Sequence, residues 1–471
     1  MVVMERRRTS TNKNGSRTIY ETKEQNKRNI RIMKKIIIIL FFTSPFVLFS
    51  QEDLSLENAI RIGLKQNFDI QLSEKNLEIS KIKNNLANAG ALPTINISAK
   101  GEKSVSDQSN NPTSFIQEIL QAESMSATAN MSWTLFNGYG IKANKEKLNQ
   151  IEKLSNGNLT LTIENTTQGI LLSYYNCVIQ KERLDLLQKV VNLSRERLIY
   201  QKTKHEIGTS NKLELLQTEN ALLTDSSNLI LQKLNYDNSV KNLNLILGVE
   251  LNKKWNLTDQ INDRSQLFNF ENLKNHTLSD NTNIRNQYIN MEIIKQDIIL
   301  SKSVYQPMVS FNSGASYNTN TYDIGDSGYE GDNTGETLNY YANLTVSLRL
   351  YDGGRYKTIV QENLIREEIN ELELEKIKRE VLQHLSINYQ RYNSNITIYN
   401  LSKKAFSIAE TNYLLANDKN NRGVINSFTL RDIEIAYLNS GISYLQSAYN
   451  LNESYLELMK ITGGILQEET F

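Results

Sequence analysis

The chain has 471 residues, with Lys and Arg numbering 53 against 52 Asp and Glu, for a formal charge of +1. Residues 1–50 hold 11 of the basic and 3 of the acidic side chains, which leaves 42 against 49, or −7, for the remainder. A mildly acidic body excludes nucleic acid as an expected partner, and one cysteine, Cys177, excludes an intramolecular disulfide.

Residues 1–32 are polar and basic, after which Met33-Lys34-Lys35 leads into an apolar stretch from Ile36 to Phe49. This is the pattern of a signal peptide: a charged start, roughly 14 apolar residues where a spanning helix needs about 20, and a small Ser50 before Gln51 as the cleavage point. Export from a bacterial cytoplasm is the expectation, with an uncleaved membrane anchor as the lesser alternative. Met33 alone would open an ordinary signal, so residues 1–32 read as an over-extended gene start. No cysteine follows the apolar stretch to carry a lipid.

From Gln51 onward the chain is written twice, with an offset of about 215 residues. Trp133-Thr134-Leu135-Phe136-Asn137-Gly138 returns as Leu348-Arg349-Leu350-Tyr351-Asp352-Gly353, Gly208 with Asn211 returns as Gly423 with Asn426, and Leu247-Gly248 returns as Thr462-Gly463. A constant offset over more than one element signals a duplicated architecture. The predicted boundaries are 1–50 for the extension plus signal, 51–257 for the first repeat and 258–471 for the second.

Each repeat predicts a helix, two short strands and a very long helical hairpin. The first helix covers about 56–91, and Pro93 marks the change from helix to strand, as Pro307 does in the second copy. Ile95, Ile97 and Ala99 then alternate with Thr94, Asn96 and Ser98, and Ala127 to Leu135 alternates with Thr128, Asn130, Ser132 and Thr134. Val309, Phe311, Ala315 and Tyr317, then Ala342 to Leu350, repeat that alternation. Period-two alternation of apolar with small polar residues suits a membrane barrel with a wet lumen, and a soluble antiparallel sheet equally. The joining loops, about 105–123 and 321–337, are polar. Asp323, Asp326, Glu330 and Asp332 in the second lack the spacing of a calcium loop.

Proline is missing from 138–300 and from 354–471, so long helices are permitted. Within 158–207, Ile163, Ile170, Cys177, Leu184, Val191 and Leu198 recur every seven residues, and so do Leu172, Ile179, Leu186, Leu193 and Tyr200. The second copy gives Leu385, Tyr392, Tyr399, Phe406 and Tyr413, then Ile387, Leu401, Ile408 and Leu415. Seven-residue spacing favours coiling against a neighbour. The two rows lie two residues apart, about 200° around the helix, so each helix seeks a partner on both sides. A curved wall of helices has this requirement. The return helix, about 211–248, and the first helix together match the long helix in length, so two stacked short helices can flank one long one. After the return helix, 252–282 breaks the heptads, with Trp255, Leu267, Phe268 and Phe270 as packing points.

The chain resembles the TolC-type outer-membrane efflux family. The matching features are Leu54-Ser55-Leu56-Glu57-Asn58-Ala59-Ile60, the Pro93 and Pro307 junctions, Trp133 to Gly138 with Leu350 to Gly354, and the hairpin turns at Gly208 and Gly423. The implied fold is mainly α with a transmembrane β-barrel: a homotrimer whose twelve strands form a barrel in outer-membrane lipid, continuous with a twelve-helix periplasmic tunnel. Segment 252–282 would belong to a belt around the tunnel. The implied partners are a periplasmic adaptor and an inner-membrane pump.

By position, the resemblance assigns the periplasmic gate to acids after the hairpin glycines, Glu214 and Asp432. Thr429 stands where a second family acid often sits and Ile425 where a linking arginine is often found, which points to Arg422 and Arg431 as substitutes. Adaptor contact is assigned to Gly208, Asn211, Gly423 and Asn426. No Ser-His-Asp grouping, phosphate-cradling loop or metal-spaced cluster is present, so neither an enzyme, a cofactor nor a bound metal is expected. Two alternatives stay open: a type I protein-secretion duct, and a non-conducting coiled-coil scaffold.

Overall fold

The structure is a computed structural model that describes residues 52–115, 117–261, 263–323 and 334–466. The signal segment, and Asp326, Glu330 and Asp332 in the second strand loop, lie outside the described residues.

The expected helix over 56–91 is three helices, α1 (Leu56–Gln66), α2 (Phe68–Lys83) and α3 (Leu86–Ala89). Asn67 and Asn85 cause the breaks: each takes an extended backbone and caps the next helix, Asn67 accepting from the amides of Asp69 and Ile70. Strands β2 (Thr94–Asp107) and β3 (Ile119–Asn137), after a short β1 (Glu52–Leu54), run further into the polar loop than the alternation alone suggested. Helix α4 (Gly140–Glu206) has 67 residues, about 100 Å at 1.5 Å per residue. It turns back as α5 (Lys212–Leu247).

A short β4 (Trp255–Leu257) pairs with β1. The second copy follows as α6 (Phe270–Asp280), α7 (Thr282–Ser303), β5 (Met308–Asp323), β6 (Thr334–Ser347), the 67-residue α8 (Arg355–Asn421) and α9 (Ser427–Ile461).

The helices form a single wall. In one half, α2, α4, α7 and α8 lie side by side; in the other the order is α5, α4, α9, α8. Two short helices thus stack end to end along each long one, and an asparagine joins each stack. Asn67 donates its side-chain amide to the Ile246 carbonyl at the end of α5 at 2.8 Å, and Asn281 donates to Ile461 at the end of α9 at 2.9 Å. Each also caps the helix that follows it, so one side chain satisfies the ends of two helices. Close approach at these joints needs glycine: a Cβ on Gly248 would lie 2.3 Å from the Gln66 carbonyl oxygen, and one on Gly463 2.8 Å from that of Asp280.

The seams differ in composition. Tyr399, Tyr444, Phe406, Tyr437 and Tyr413 stack in one column between α8 and α9, with ring centroids 5.2–5.8 Å apart. Between α4 and α5 the buried row on α5 is polar: Thr218, Asp225, Gln232 and Ser239, seven residues apart. Cys177 is fully buried on α4, as expected of a packing residue. Trp255 is 3% exposed, but Leu267, expected to pack, is 85% exposed. Tyr174, Tyr389 and Tyr392 secure the crossing segments by donating to the carbonyls of Leu54, Phe268 and Arg264.

The four long strands form one antiparallel sheet ordered β2-β3-β5-β6. Its cross-strand rows alternate in character: Ile97, Ala129, Ala315 and Tyr340 align, and the next row is Ser98, Thr128, Ser316 and Asn339. Apolar side chains on the outer strands stand free, Ile97 at 83% and Tyr340 at 75% exposure. No helix among the described residues is long and apolar enough to cross a membrane.

Candidate gate and docking site at the hairpin ends

The two hairpin ends are built alike. After α4, Gly208 takes φ 77°, its amide donates to the His205 carbonyl and the Thr209 amide donates to Lys204; after α8, Gly423 takes φ 74°, with Gly423 to Asn420 and Val424 to Lys419. Both are left-handed caps that satisfy the last carbonyls of a helix. A Cβ at either glycine would meet nothing, so the backbone conformation alone demands glycine. Asn211 and Asn426 then cap α5 and α9, accepting from the amides of Glu214 and Thr429 at 2.9 Å.

The four expected gate residues occupy different settings. Glu214 reaches back to accept from Ser210 at 2.9 Å, Gln201 at 2.8 Å and Asn211 at 3.3 Å, so its carboxylate closes the turn. Asp432 is exposed on α9. Arg422 pairs with Asp418 at 3.0 Å, one helical turn away and open to water. Arg431 crosses between helices.

Arg431 enters a buried network that the sequence did not disclose. It binds Asp225 of α5 with two parallel hydrogen bonds of 2.7 and 2.8 Å and lies 3.6 Å from Glu434. Ser194 of α4 donates to Asp225 at 2.5 Å, and Arg197 of α4 pairs with Glu434. Asp225 is 1% and Glu434 2% exposed. Burial, then the adjacent Arg431, lowers the Arg197 guanidinium to about 10. Two arginines facing two carboxylates compensate one another here and tie α4, α5 and α9 together just above the hairpin ends. The available signal was a charge on a seven-residue row, since Asp225 continues Thr218 toward Gln232. Among the described residues no group of His, Cys, Asp and Glu could hold a metal ion.

Comparison with known proteins bears on this arrangement. A family profile described as "Outer membrane efflux protein" matches residues 59–249 and 273–464. The chain belongs to the outer membrane efflux protein family. Its function is accordingly that of an outer-membrane efflux duct, with a long periplasmic helical extension.

The two matched segments of the family profile repeat the duplicated pattern of helices and strands. Among solved structures, the Campylobacter jejuni CmeC outer membrane channel is similar at 16% identity and TM-score 0.71, covering 90% of each chain. The outer membrane protein VceC of Vibrio cholerae is similar at 12% identity and TM-score 0.66, covering 87% of this chain and 96% of that one. The open state of the Neisseria gonorrhoeae MtrE outer membrane channel aligns at 15% identity and TM-score 0.66, covering 87% and 89%. These likenesses show a shared fold. No curated protein sequence matches the chain.

Proposed function

We propose that three copies of this chain close into one conduit, a twelve-stranded barrel in the outer membrane above a twelve-helix periplasmic tunnel. The observation that carries this reading is a pair of unpartnered apolar rows on opposite edges of the wall. Leu216, Leu223 and Ile230 on α5 are 49%, 63% and 70% exposed, and Leu401, Ile408 and Leu415 on α8 are 65%, 60% and 59% exposed. Both rows have the seven-residue period of a coiled-coil seam. From the hairpin ends, Leu216 stands level with Leu415, Leu223 with Ile408 and Ile230 with Leu401. An edge that matches a different edge makes a head-to-tail contact, which closes as a ring when the rotation permits.

The sheet makes the same demand. Strands β2 and β6 each have an unpaired edge, and lipid tolerates none, so three four-stranded sheets pooled into one barrel satisfy both. Outward rows such as Ile97, Ala129 and Tyr340 then face acyl chains. A coiled-coil scaffold in water would leave them wet, which disfavours that alternative. The repeats run from 51–257 and 258–471, and the belt of α1, α6 and 252–269 lies outside the ring. Twelve helices about 10 Å apart leave a bore on the order of 25–30 Å, which three inward belts would plug.

At the periplasmic end, three exposed Asp432 carboxylates form a cation-favouring ring, and the Arg431–Asp225 clasp holds the helices together. The Glu214 carboxylate and Arg422, each engaged within its own hairpin, support the ends. The open turns at Gly208, Asn211, Gly423 and Asn426 receive a periplasmic adaptor, which connects the duct to an inner-membrane pump. The type I secretion reading uses the same duct.

Single-channel recording tests the proposal. Protein released only by detergent should conduct in a planar bilayer, with a cation preference that falls in Asp432→Ala. A monomer released by salt would refute it.

A further inference from the structure

A groove of about 900 Å³ runs between α4, α7, α8 and α9 beside the Asn281 joint. Its side of the wall follows from helical periodicity at about 100° per residue. On α4, Asn158 of the groove lies roughly 160° around the helix from Tyr174, which donates to the crossing segment at Leu54. On α8 the lining runs from Val381, roughly 20° around from Tyr392, which donates to Arg264, through Ile377 at roughly 60° and Glu380 at roughly 120° to Gln383 at roughly 180°. Asn158, Glu380 and Gln383 therefore lie on the face away from the belt, with Val381 and Ile377 on the inner wall, and in a ring with its belt outside that face lines the bore.

Its lining is acidic and amide-rich over an apolar floor. Glu164, Glu380 and Glu457 line it together with Lys460 and His384, and Lys376, one turn along α8, lies 3.8 Å from Glu380. Lys460 is already engaged, donating to Gln168 at 2.9 Å, and Gln168 donates to Glu457 at 2.6 Å. Glu164 is 5% exposed and its one neutral donor is Thr282 at 2.6 Å. Burial pushes the Glu164 carboxyl up, opposed by the Thr282 hydrogen bond and the charges of Lys460 and Arg285. Leu154, Leu161 and Ile377 supply apolar wall.

We infer that this groove is a subsite within the bore for drug-sized organic cations, which pair their charge with Glu380 and Glu457 and lay their apolar body on Leu161 and Ile377. The volume fits such a ligand. The subsite rests on the ring reading above, because only a closed ring makes this face a lumen.

The test uses the full chain in lipid nanodiscs and equilibrium dialysis with ethidium, a planar organic cation, and fluorescein, an organic anion. Wild type should bind ethidium saturably, one per chain, and fluorescein not at all. Affinity should fall about tenfold in the Glu380→Gln, Glu457→Gln double variant. Asn290→Arg, which sets a cation into the groove without removing an acid, should lower it equally. Equal ethidium affinity in wild type and both variants, or no saturable binding, would overturn the subsite. Recording conductance of the same wild-type preparation separates the two claims: a conducting protein that binds no ethidium loses the subsite and keeps the duct, whereas one that neither conducts nor binds loses both.

Discussion

Arg431 and Asp225, 206 residues apart in the chain, face each other in a two-pronged ion pair, with Nη1 to Oδ2 at 2.8 Å and Nη2 to Oδ1 at 2.7 Å. The pair joins the return helices of the two repeats across the long helix of the first. Removing Arg431 leaves Asp225, 1% exposed, with Ser194 as its remaining donor. Breaking a buried pair in this way costs about 3 kcal/mol. Arg431→Ala should lower the thermal midpoint and raise the open probability in bilayer recordings. Arg431→Lys should restore little, because an ammonium cannot make the bidentate contact. Unchanged gating in both variants would remove the clasp from the gate.

The helix joints should be independent and additive. Asn67→Ala loses a cap and a tertiary hydrogen bond, about 2 kcal/mol together, and Asn281→Ala loses the same pair of interactions. The double variant should sum to about 4 kcal/mol, since the two asparagines share no partner. Gly248→Ala should exceed either single loss, because a Cβ would meet the Gln66 oxygen at 2.3 Å while φ is held at 71°. Denaturant titration of the extracted protein measures each. A Gly248→Ala protein as stable as wild type would contradict the close approach.

Cys177 should be chemically silent in the folded protein. It is fully buried on α4, and burial pushes its thiol up to about 11. A maleimide at pH 8 should label it only after denaturation, because the thiolate is the reactive form. Rapid labelling of the folded protein would mean that the seam between α4 and α5 opens.

Glu164 gives a pH signature with a definite sign. Burial raises its folded-state pKa above the ordinary carboxylate value, so the folded form binds a proton more readily than the unfolded form. Stability therefore grows as pH falls through the raised value and is lost as pH rises past it. Glu164→Gln should raise the thermal midpoint at pH 7.5 by about 2 °C, and the gain should shrink toward pH 4.5. A gap that is the same at both values would show that Glu164 carries no burial penalty.

The duplicated plan was legible because each element repeats its own periodicity. Seven-residue rows over 67 residues of α4 and α8, and the two-residue alternation of the strands, leave few other readings. The break at Asn67 was not legible, since Phe68 to Lys83 continues a helical pattern and only the stacking on α5 turns Asn67 into a cap. The buried Thr218–Asp225–Gln232–Ser239 row was missed for a related reason. A polar row usually faces water, but here it faces α4, where Gln180 and Ser194 answer it. The turns at Gly208 and Gly423 were read correctly as sharp ends, yet the ionic clasp sits above them, composed of residues from three helices that no local pattern brings together.

Ring closure through the α5 and α8 edges is the central claim, and cysteine cross-linking tests it most directly. Leu223→Cys and Ile408→Cys place one thiol on each unpartnered edge, while buried Cys177 stays silent. A short bismaleimide applied to the double variant in native membranes should give a covalent trimer as the largest species on a denaturing gel, and neither single variant should cross-link through these edges. A ladder continuing past three chains, or no cross-link in the double variant, would contradict the closed trimeric duct.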